Sequence, residues 1–457
     1  MRNLEIPVPG LREGLEGRVI GPDDNGYDEA RTPFYGGFDR RPAAIVRVAN
    51  AEDVARVVSV ARESGFELAV RSGGHSLAAH SVSDGGIVID LSDMRALEID
   101  VDARTAWAQT GLTAGEYTTA AAEHDLATGF GDTPSVGIGG LTLGGGVGFL
   151  VRKHGLTIDD LLAAEVVTAD GRVRRVDAEH DPDLFWAIRG GGGNFGVATR
   201  FRFRLHELPQ VVGGMLFLPA TPEVVASFVE AAEAAPEELS AIANVMPAPP
   251  APFIPEAAHG KTVLMAMMVY AGDVEAGQRA VAPFRALAEP IADMLRPMRY
   301  PEIYPPNGQE EYHPVAAGHN MFVDRIDRGH AATILEHLER SSAMLRVAQL
   351  RVLGGAMARV PADATAFAHR SARIMVNVGA VYERPEEGDV HRAWVRGLAD
   401  ALDQGYEGAY VNFVADEGPE RVRASYPGAT WDRLVQVKTT YDPTNVFRLN
   451  QNIPPSG

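Results

Sequence analysis

The sequence predicts a two-domain protein that contains both helices and strands, of the α/β or α+β class. Its 457 residues exceed what one ordinary hydrophobic core serves. From residue 42 to about residue 209, predicted strands alternate with predicted helices among many glycines. From about residue 210 to residue 402, strands follow without glycine-rich turns, which favours an antiparallel sheet covered on one side by helices. We therefore expect a domain boundary near residue 209.

The first half opens with a strand, "AAIVRV", and a helix, "NAEDVARVVSVARESG". An asparagine cap, an acidic first turn and a terminal glycine mark the ends of that helix. Runs rich in β-branched residues predict the strands "FELAVRS", "GIVIDL", "AEVVTAD" and "TRFRFRL". The segments "TAGEYTTAAAEHDL" and "DPDLFWAIR" predict helices between them.

The same signals predict the strands and helices of the second half of the chain. Its expected strands are "VVGGMLFLP", "KTVLMAMMVYA", "LRVLGGAMARV" and "ARIMVNVGAVYE". Its expected helices are "TPEVVASFVEAAEAAP", "VEAGQRAVAPFRAL" and "DVHRAWVRGLADALD", and "PAPPAPFIPEA" is a stiff proline-rich loop. The tail, from "TWDRL" onward, predicts a helix followed by irregular chain.

Composition narrows the class of function. The formal net charge of -19 argues against nucleic acid or an anionic membrane surface as a partner. The chain has no cysteine, which excludes disulfides, thiolate metal sites, cysteine nucleophiles and cysteinyl cofactor links. The N-terminal residues lack an apolar signal core, and no run approaches the ~18 apolar residues of a membrane span. We expect a cytoplasmic protein with no metal site.

Three glycine-rich segments dominate the functional signal: "RSGGHS", "PSVGIGGLTLGGGVG" and "RGGGGNFGVAT". The third contains G-x-G-x-x-G at Gly191, Gly193 and Gly196, but a helix precedes it and a strand follows. That order is the reverse of a Rossmann site. Tight turns alone would explain any one of the segments. Three in one half favour an extended ligand whose pyrophosphate contacts the backbone at several points.

The first of these segments places a histidine directly after two glycines. Gly73 and Gly74 leave the backbone bare, so its N–H groups suit a phosphate. His75 follows at once, and histidine is the side chain best suited to chemistry near neutral pH. The turn therefore predicts a site where a phosphate-bearing ligand meets a reactive imidazole.

Taken in order, a set of motifs resembles the berberine-bridge-enzyme-like FAD-linked oxidases of the vanillyl-alcohol oxidase and p-cresol methylhydroxylase (PCMH) superfamily. The motifs are "RSGGHS", "DGGIVIDLS", "VGIGGLTLGGGVG", "RKHGLTIDDL", "GGGGNFGV" and "TYDPTNVFRLNQNIPP". The resemblance implies an α+β fold with a PCMH-type FAD-binding domain at residues 1–209, its core at 40–209. It implies a substrate domain at 210–402, built on an antiparallel sheet covered by helices. A C-terminal segment, 403–457, returns to the FAD-binding domain.

The resemblance also implies how FAD is held. His75 occupies the position of a histidine that carries the flavin through its 8α-methyl group. Many relatives add a cysteinyl link where this chain has Thr133, so attachment here is through His75 only. Val136 matches a position that controls access of O2 to the flavin, although a merely packed valine is an equal alternative. The other implied cofactor contacts are Arg71, Ser72, Gly73, Gly74, Ser76, His80, Gly137, Gly139, Gly140, Thr142, Gly144, Gly146, Gly148, Gly193, Asn194, Gly196, Val197, and the C-terminal strand residues Asn450 and Asn452.

Two residues are predicted to be catalytic. Tyr410, in "AYVNF", matches a tyrosine-x-asparagine motif beside the flavin, which implies a base that deprotonates a substrate hydroxyl while hydride passes to flavin N5. We expect His154 to supply the neighbouring charge that such a base needs. The alternative is that Tyr410 is a half-buried strand residue. Leu77 and Leu141 stand where some relatives carry a polar active-site residue, and a surface or structural role rather than catalysis is expected for His369.

The implied reaction is the oxidation of an alcohol or amine of a small molecule, with O2 as the acceptor and H2O2 as a product. Two alternatives stay open. One is a dehydrogenase of the same fold that uses another acceptor. The other is a flavin-binding protein without turnover, which Leu77 and Leu141 suggest. The sequence predicts neither the substrate nor the oligomeric state.

Overall fold

Two main β-sheets form the first half of the chain. The computed structural model describes residues 11–304 and 312–456, and its fold is α+β. The strands here are β1 (Arg18–Ile20), β2 (Ala44–Arg47), β3 (Leu68–Arg71), β4 (Ile87–Asp90), β5 (Leu97–Asp100), β6 (Thr105–Gln109), β7 (Leu126–Ala127), β8 (Leu161–Val167), β9 (Val173–Val176), β10 (Val197–Arg204) and β11 (His206–Glu207). The helices are α1 (Tyr27–Arg31), α2 (Ala51–Ser64), α3 (Ala114–Ala122), α4 (Ile138–Gly144), α5 (Val151–His154) and α6 (Pro182–Ala187).

The first sheet is mixed and the second is antiparallel. The first has the order β1-β2-β4-β3, with only β1 running against its neighbour. The second has the order β5-β6-β10-β8-β9, and β7 pairs separately with β11. Helix α2 has the predicted ends, because the Asn50 side chain accepts a hydrogen bond from the Asp53 N–H and Gly65 adopts a φ of +73°. The predicted strands and helices of this half are confirmed.

One large antiparallel sheet forms the second half. Its strands are β12 (Val211–Pro219), β13 (Leu239–Pro247), β14 (Thr262–Tyr270), β15 (Ala292–Asp293), β16 (Arg296–Met298), β17 (Val315–Val323), β18 (Leu345–Val352) and β19 (Ile374–Tyr382). Its helices are α7 (Pro222–Ala234), α8 (Val274–Arg285), α9 (Arg328–Arg340), α10 (Ala356–Arg359) and α11 (Gly388–Leu402). The strand order is β15-β12-β14-β13-β18-β19-β17, with β16 also beside β12.

The two faces of this sheet have different partners. On one face, buried side chains of α7, α9 and α11, such as Phe228, Ile334 and Leu398, pack on Leu350 and Val376 of the strands. The opposite face looks toward the first half of the chain. The sheet covered by helices on one side is therefore confirmed, and its other face is free to cover a site.

Some details of the second half were wrong or missed. The predicted strand "LRVLGGAMARV" ends at Val352, because Gly354 and Gly355 turn the chain with φ of +100° and +57° before α10. Strands β13 and β17 carry polar residues among their apolar ones, and the sequence pattern did not predict them.

The C-terminal part consists of α12 (Pro419–Ala424), α13 (Ala429–Tyr441) and irregular chain. The predicted helix and irregular tail are confirmed. The C-terminal strand expected to carry Asn450 and Asn452 is wrong, since residues 442–456 form no strand. Within the described ranges, no helix is long and apolar enough to cross a membrane. Residues 1–10, on which the expected lack of a signal peptide depends, lie outside those ranges.

Two of the glycine segments meet backbone to backbone. A Cβ placed on Gly73 would lie 2.2 Å from the backbone nitrogen of Gly137, and one on Gly137 would lie 2.3 Å from the nitrogen of Gly73. Neither contact can relax by moving a flexible side chain, because the obstructing atoms belong to the main chain. The turn after β3 and the start of α4 are therefore held at a separation that only glycine allows.

We expect Gly137→Ala to lower the free energy of unfolding by about 1–3 kcal/mol, the usual cost of overpacking. The matched control is Gly397→Ala in α11, where a Cβ would meet nothing within 4 Å. That change should raise the free energy of unfolding by about 0.5–1 kcal/mol through helix propensity. Urea denaturation measures both, and a Gly137 variant as stable as the parent would contradict the close packing.

Candidate active site

A cavity of about 520 Å³ lies where the three glycine segments converge. Residues near 410 and 450 complete its wall, so the C-terminal part of the chain also reaches it. Of the residues predicted from the sequence, those in the wall are Ser72, Gly73, Gly74, His75, Ser76, His80, Thr133, Val136, Gly137, Gly139, Gly140, Gly193, Asn194, Gly196, Val197, Tyr410 and Asn450. The structure thus brings together residues from five separate stretches of sequence.

The wall has the properties that a dinucleotide needs. At Gly140 and Gly193 an added Cβ would meet nothing within 4 Å, so bare backbone faces open space. Asn450 contributes a buried side-chain oxygen that has no hydrogen-bond partner. Backbone N–H groups at a glycine-rich surface suit a pyrophosphate, and an unpartnered amide oxygen calls for a ligand donor. The residues present therefore fit an extended ligand such as FAD.

Several predicted cofactor contacts do not lie in this wall. Gly144, Gly146 and Gly148 face the protein instead, because a Cβ on each would lie 2.0 Å or less from Asn412, Thr157 or the Phe130 carbonyl. These glycines allow close packing beneath the cavity. The alternation of glycines in "LTLGGGVG" did not reveal which of them turn inward.

Arg71, Thr142 and Asn452 are also outside the wall. The Arg71 guanidinium donates hydrogen bonds to the backbone carbonyls of Ala30 and Thr32, which fixes the chain that leads to Phe34. The Thr142 side chain is buried, and the Asn452 amide oxygen is buried without a partner. Arg71 therefore supports the site from behind rather than lining it.

His75 lies in the wall, with its ring between two neighbours. The ring stacks on Phe34 with centroids 3.9 Å apart and an interplanar angle of 20°. Its Nε2 atom lies 3.2 Å from the Ser135 Oγ. Burial lowers the pKa of His75 to about 4, so the ring is neutral near neutral pH. Burial also lowers the pKa of nearby His80 to about 4, aided by the Arg40 charge.

Tyr410 is buried in the cavity wall, directly before a short 3₁₀ turn at Val411–Phe413. Its backbone N–H donates to the Asn320 side chain of β17 at 2.6 Å. Its phenolic oxygen accepts hydrogen bonds from the Gly146 N–H and from the Asn412 amide, both at 2.8 Å. Burial raises the pKa of Tyr410, whereas those two donors and the Arg351 charge oppose that shift. The residue is not in a strand.

His154, the second predicted catalytic residue, is not in the wall. Its ring stacks on His206 with centroids 3.7 Å apart, and His206 in turn contacts Asp160 at 2.7 Å. Burial lowers the pKa of His154 to about 3, so it carries no charge near neutral pH. The expectation that His154 would supply a charge beside Tyr410 is therefore wrong. The residue lies on α5, a short helix whose orientation the sequence motif did not reveal.

Of the two roles expected for His369, surface or structural, its buried environment fits the structural one. Its Nε2 lies 3.0 Å from the Ser425 carbonyl and its Nδ1 lies 3.3 Å from the Tyr406 hydroxyl. It ties the C-terminal part of the chain to the loop before β19. It does not line the cavity.

Sequence reasoning missed the aromatic and charged residues around the glycine segments. Phe34, Tyr35, Asp132 and Phe413 all lie in the wall. Arg351 of β18 donates to the Asp132 carboxylate at 2.5 Å and lies over the Phe413 ring at 5.2 Å. Arg351 supplies the positive charge near Tyr410 that was expected from His154. Its position depends on strand pairing between distant segments, which no short motif could indicate.

Family models match two of the parts of the chain that contribute to the cavity. Residues 42–177 match the FAD binding domain family, and residues 409–454 match the berberine and berberine-like family. An FAD-linked oxidoreductase of Bacillus subtilis, YvdP, is 35% identical over 97% of this chain and 99% of its own length. The chain belongs to the berberine-bridge-enzyme-like FAD-linked oxidoreductases. FAD is accordingly the cofactor that the cavity fits.

Two further proteins similar to this chain are named as oxidases. The (R)-6-hydroxynicotine oxidase of Paenarthrobacter nicotinovorans is 31% identical over 97% of this chain and 98% of its own length. The crystal structure of 6-hydroxy-D-nicotine oxidase from Arthrobacter nicotinovorans has a TM-score of 0.86 at 29% identity, covering 97% of this chain and 98% of that one. A xylooligosaccharide oxidase structure, 24% identical with a TM-score of 0.85 and 98% coverage of both chains, shares the fold.

The half-buried His154 should make stability depend on pH. Its folded pKa of about 3 lies below the ordinary value of 6.5, so the unfolded chain takes up a proton first. The contribution of the neutral His154 imidazole to the free energy of unfolding is therefore complete above pH 6.5, and it is lost as the pH falls toward 3. The free energy of unfolding should fall less steeply between pH 6.5 and 4 in His154→Gln than in the parent. The difference in slope should be at most about 1.4 kcal/mol per pH unit, the value for uptake of one proton on unfolding.

Urea denaturation at several pH values measures this slope, with exposed His124→Gln as the matched control. Equal slopes in the parent and in the His154 variant would mean that the imidazole takes up its proton in the folded state.

Proposed function

We propose that this chain oxidises a hydroxyl-bearing small molecule, C–OH to C=O, with O2 as the final acceptor and H2O2 as a product. An amine substrate is the second candidate. The observation that carries the proposal is the buried Tyr410 phenol in the cavity wall, whose oxygen accepts two N–H hydrogen bonds. Bound FAD supplies the hydride acceptor at its N5 atom. The chain must then remove the hydroxyl proton and hold the substrate.

Tyr410 is the proposed base. Hydride loss from an alcohol builds positive character on carbon unless the hydroxyl proton leaves, so an acceptor at the oxygen lowers the barrier. The Gly146 N–H and the Asn412 amide point at the phenolic oxygen and favour its anionic form. Burial opposes them and keeps the pKa of Tyr410 above its ordinary value. The active form should therefore become more populated as the pH rises.

Arg351 supports Tyr410 without binding the substrate itself. Its guanidinium donates to the Asp132 carboxylate at 2.5 Å and to the Gln349 side chain at 2.8 Å, and it is 4% exposed. These contacts hold the Arg351 guanidinium in place. The Asp132 carboxylate, which belongs to the FAD-binding half, balances its charge. A cation already paired in this way offers little to an anionic substrate, which favours an uncharged one.

A row of four amide side chains crosses the large sheet behind the cavity wall. Asn320 of β17 lies opposite Asn377 of β19, Asn377 lies opposite Gln349 of β18, and Gln349 lies opposite Asn244 of β13. Residues directly opposite one another in an antiparallel sheet share a face. Asn320 bonds the Tyr410 backbone, so this face is the one toward the cavity. We refer to Asn320, Asn377, Gln349 and Asn244 as the amide row.

The amide row is incompletely satisfied in a way that suits a hydroxyl group. The Asn320 Nδ2 donor and the Asn377 Oδ1 acceptor are both buried and have no partner. A hydroxyl donates and accepts at once, so a single group can satisfy both atoms. Gly318 and Gly379 lie opposite each other in the next register row, where a placed Cβ would lie 3.7 Å from Leu77 and 3.3 Å from Val347, respectively. Leu77 therefore offers an apolar contact at a position where the resemblance implies a polar residue in some relatives.

His75 is the proposed attachment point of FAD, and the only one. With no cysteine in the chain, Thr133 provides no second link. A covalently held flavin cannot leave, so its electrons must pass to an acceptor that visits the site. Val136, half-exposed in the wall, is the proposed control point for O2, with a merely packed valine as the alternative. Dye reduction without O2 consumption would instead indicate the dehydrogenase alternative.

The proposed reaction predicts that an uncharged alcohol bleaches the yellow flavin anaerobically and that admitted O2 restores it with release of H2O2. A panel of sugars, aryl alcohols and their deoxy analogues identifies the substrate. Asn377→Leu should then raise the substrate concentration for half-maximal bleaching about 3–10-fold, the effect of one lost hydrogen bond. Val381→Leu, on the same face of β19, is the control. Failure of every alcohol and amine to bleach the flavin would exclude turnover.

Tyr410→Phe tests the base. It removes only the phenol, so anaerobic flavin reduction should fall about 10²–10⁴-fold while the flavin spectrum stays unchanged. In the parent, the rate should rise with pH above 7, by up to about tenfold per pH unit while the phenol is mostly protonated. The variant should lose this rise. Tyr406→Phe, which removes a phenol outside the cavity wall, is the control.

If Tyr410→Phe reduces its flavin within about threefold of the parent, well short of the usual loss of a general base, Tyr410 is not the base. A rate that does not change with pH in the parent would also contradict the raised pKa of the phenol.

A further inference from the structure

The His75 ring is fixed in the cavity on two sides. Phe34 lies parallel to the ring, at 3.9 Å between centroids, and sets its plane. Phe34 is itself tied to this turn, because its backbone N–H donates to the Gly74 carbonyl at 3.2 Å. Ser135 lies at the edge of the ring, with its Oγ 3.2 Å from Nε2. Together they leave the imidazole little freedom to rotate.

The contact with Ser135 distinguishes the two ring nitrogens. In a neutral imidazole one nitrogen donates and the other accepts, and the hydrogen bond of one nitrogen selects the tautomer. A hydroxyl can accept a hydrogen bond from Nε2–H, so the contact with the Ser135 Oγ is compatible with the tautomer that carries hydrogen on Nε2. In that tautomer Nδ1 keeps its lone pair, and a bond from Nδ1 to carbon requires it.

We propose that Ser135 and Phe34 are positioning residues for the covalent attachment of FAD, and that they present Nδ1 of His75 to the flavin 8α carbon. This inference rests on the proposed attachment through His75. In the step, the Nδ1–C8α bond forms and one C–H bond of the 8α-methyl group breaks. The hydrogen of that bond, the imidazole hydrogen and one electron pair are left on the flavin ring, which is reduced. O2 then accepts two electrons and two protons, giving H2O2 and the oxidised, attached flavin.

Ser135 acts in this step through Nε2. As Nδ1 bonds to carbon, positive charge develops on the ring and Nε2–H becomes a stronger donor. A hydroxyl already placed at that atom stabilises the charge without having to move. Phe34 contributes by holding the ring plane, so that the Nδ1 lone pair points along one direction. Neither residue is required to hold the FAD itself, since the glycine segments supply the backbone contacts.

The rate of covalent attachment tests this inference independently of turnover. Protein purified soon after induction is incubated with FAD in air, and samples are precipitated with acid to measure the yellow flavin that stays with the protein. Ser135→Ala should attach flavin about tenfold more slowly or worse, as expected from losing one hydrogen bond to a charged group. Ser135→Thr, which keeps the hydroxyl, should attach within about threefold of the parent. Phe34→Leu should also be slow.

Controls separate positioning from folding and from the proposed attachment. Ser135 is exposed, so Ser135→Ala should keep the parent's melting temperature and its total FAD, bound but releasable. Attachment at the parental rate in both Ser135→Ala and Phe34→Leu would overturn the positioning role while leaving attachment through His75 intact. Release of all flavin from the parent, as from His75→Ala, would overturn attachment itself and this inference with it. A loss of total FAD in Ser135→Ala equal to the loss of attached FAD would assign Ser135 to binding instead.

Discussion

The cavity depends on the contact between Gly73 and Gly137, where two glycine segments touch through their main chains. This contact sets the distance between the turn that bears His75 and the start of α4. The Ser72 hydroxyl reinforces it by donating to the Thr110 carbonyl at 2.6 Å and accepting from the Gly139 N–H at 3.2 Å. Any side chain larger than hydrogen at either glycine would move His75 relative to the wall that carries Val136. The density of glycine in this half is therefore a packing requirement as well as a binding surface.

A buried ion pair lies behind the part of the cavity wall that contains Asn194 and Phe447. Lys438 lies in α13, and Asp442 directly follows that helix. Both side chains are fully buried, and the Lys438 Nζ lies 2.7 Å from the Asp442 Oδ2. The Lys438 ammonium also donates to the carbonyls of Asn194 and Phe447, each at 2.8 Å. Burial lowers the pKa of Lys438, and Asp442 opposes that shift. Because all three ammonium hydrogens are used, this pair joins the third glycine segment to the C-terminal chain, and both of these line the cavity.

The sequence predicted the FAD side of the site better than the substrate side, for a physical reason. Backbone contacts to a cofactor require glycines at fixed spacing within short segments, so Gly73, Gly74 and His75 were visible as a motif. Arg351 and the amide row are brought together only by the register of distant strands, and a pattern within one segment does not contain that register. Sequence proximity was also misleading, since His154 belongs to a recognisable motif yet lies outside the wall.

The two halves of the chain are coupled at the proposed base. Tyr410 is held by the large sheet through Asn320 and by the FAD half through the Gly146 N–H. Arg351 crosses the same boundary, from β18 to Asp132 of the FAD half. The position and the charge environment of the phenol are thus set by contacts that exist only when the sheet is seated on the FAD-binding half. A change in the sheet that alters substrate contacts can therefore also alter the base, and substrate choice and base strength are not independent in this architecture.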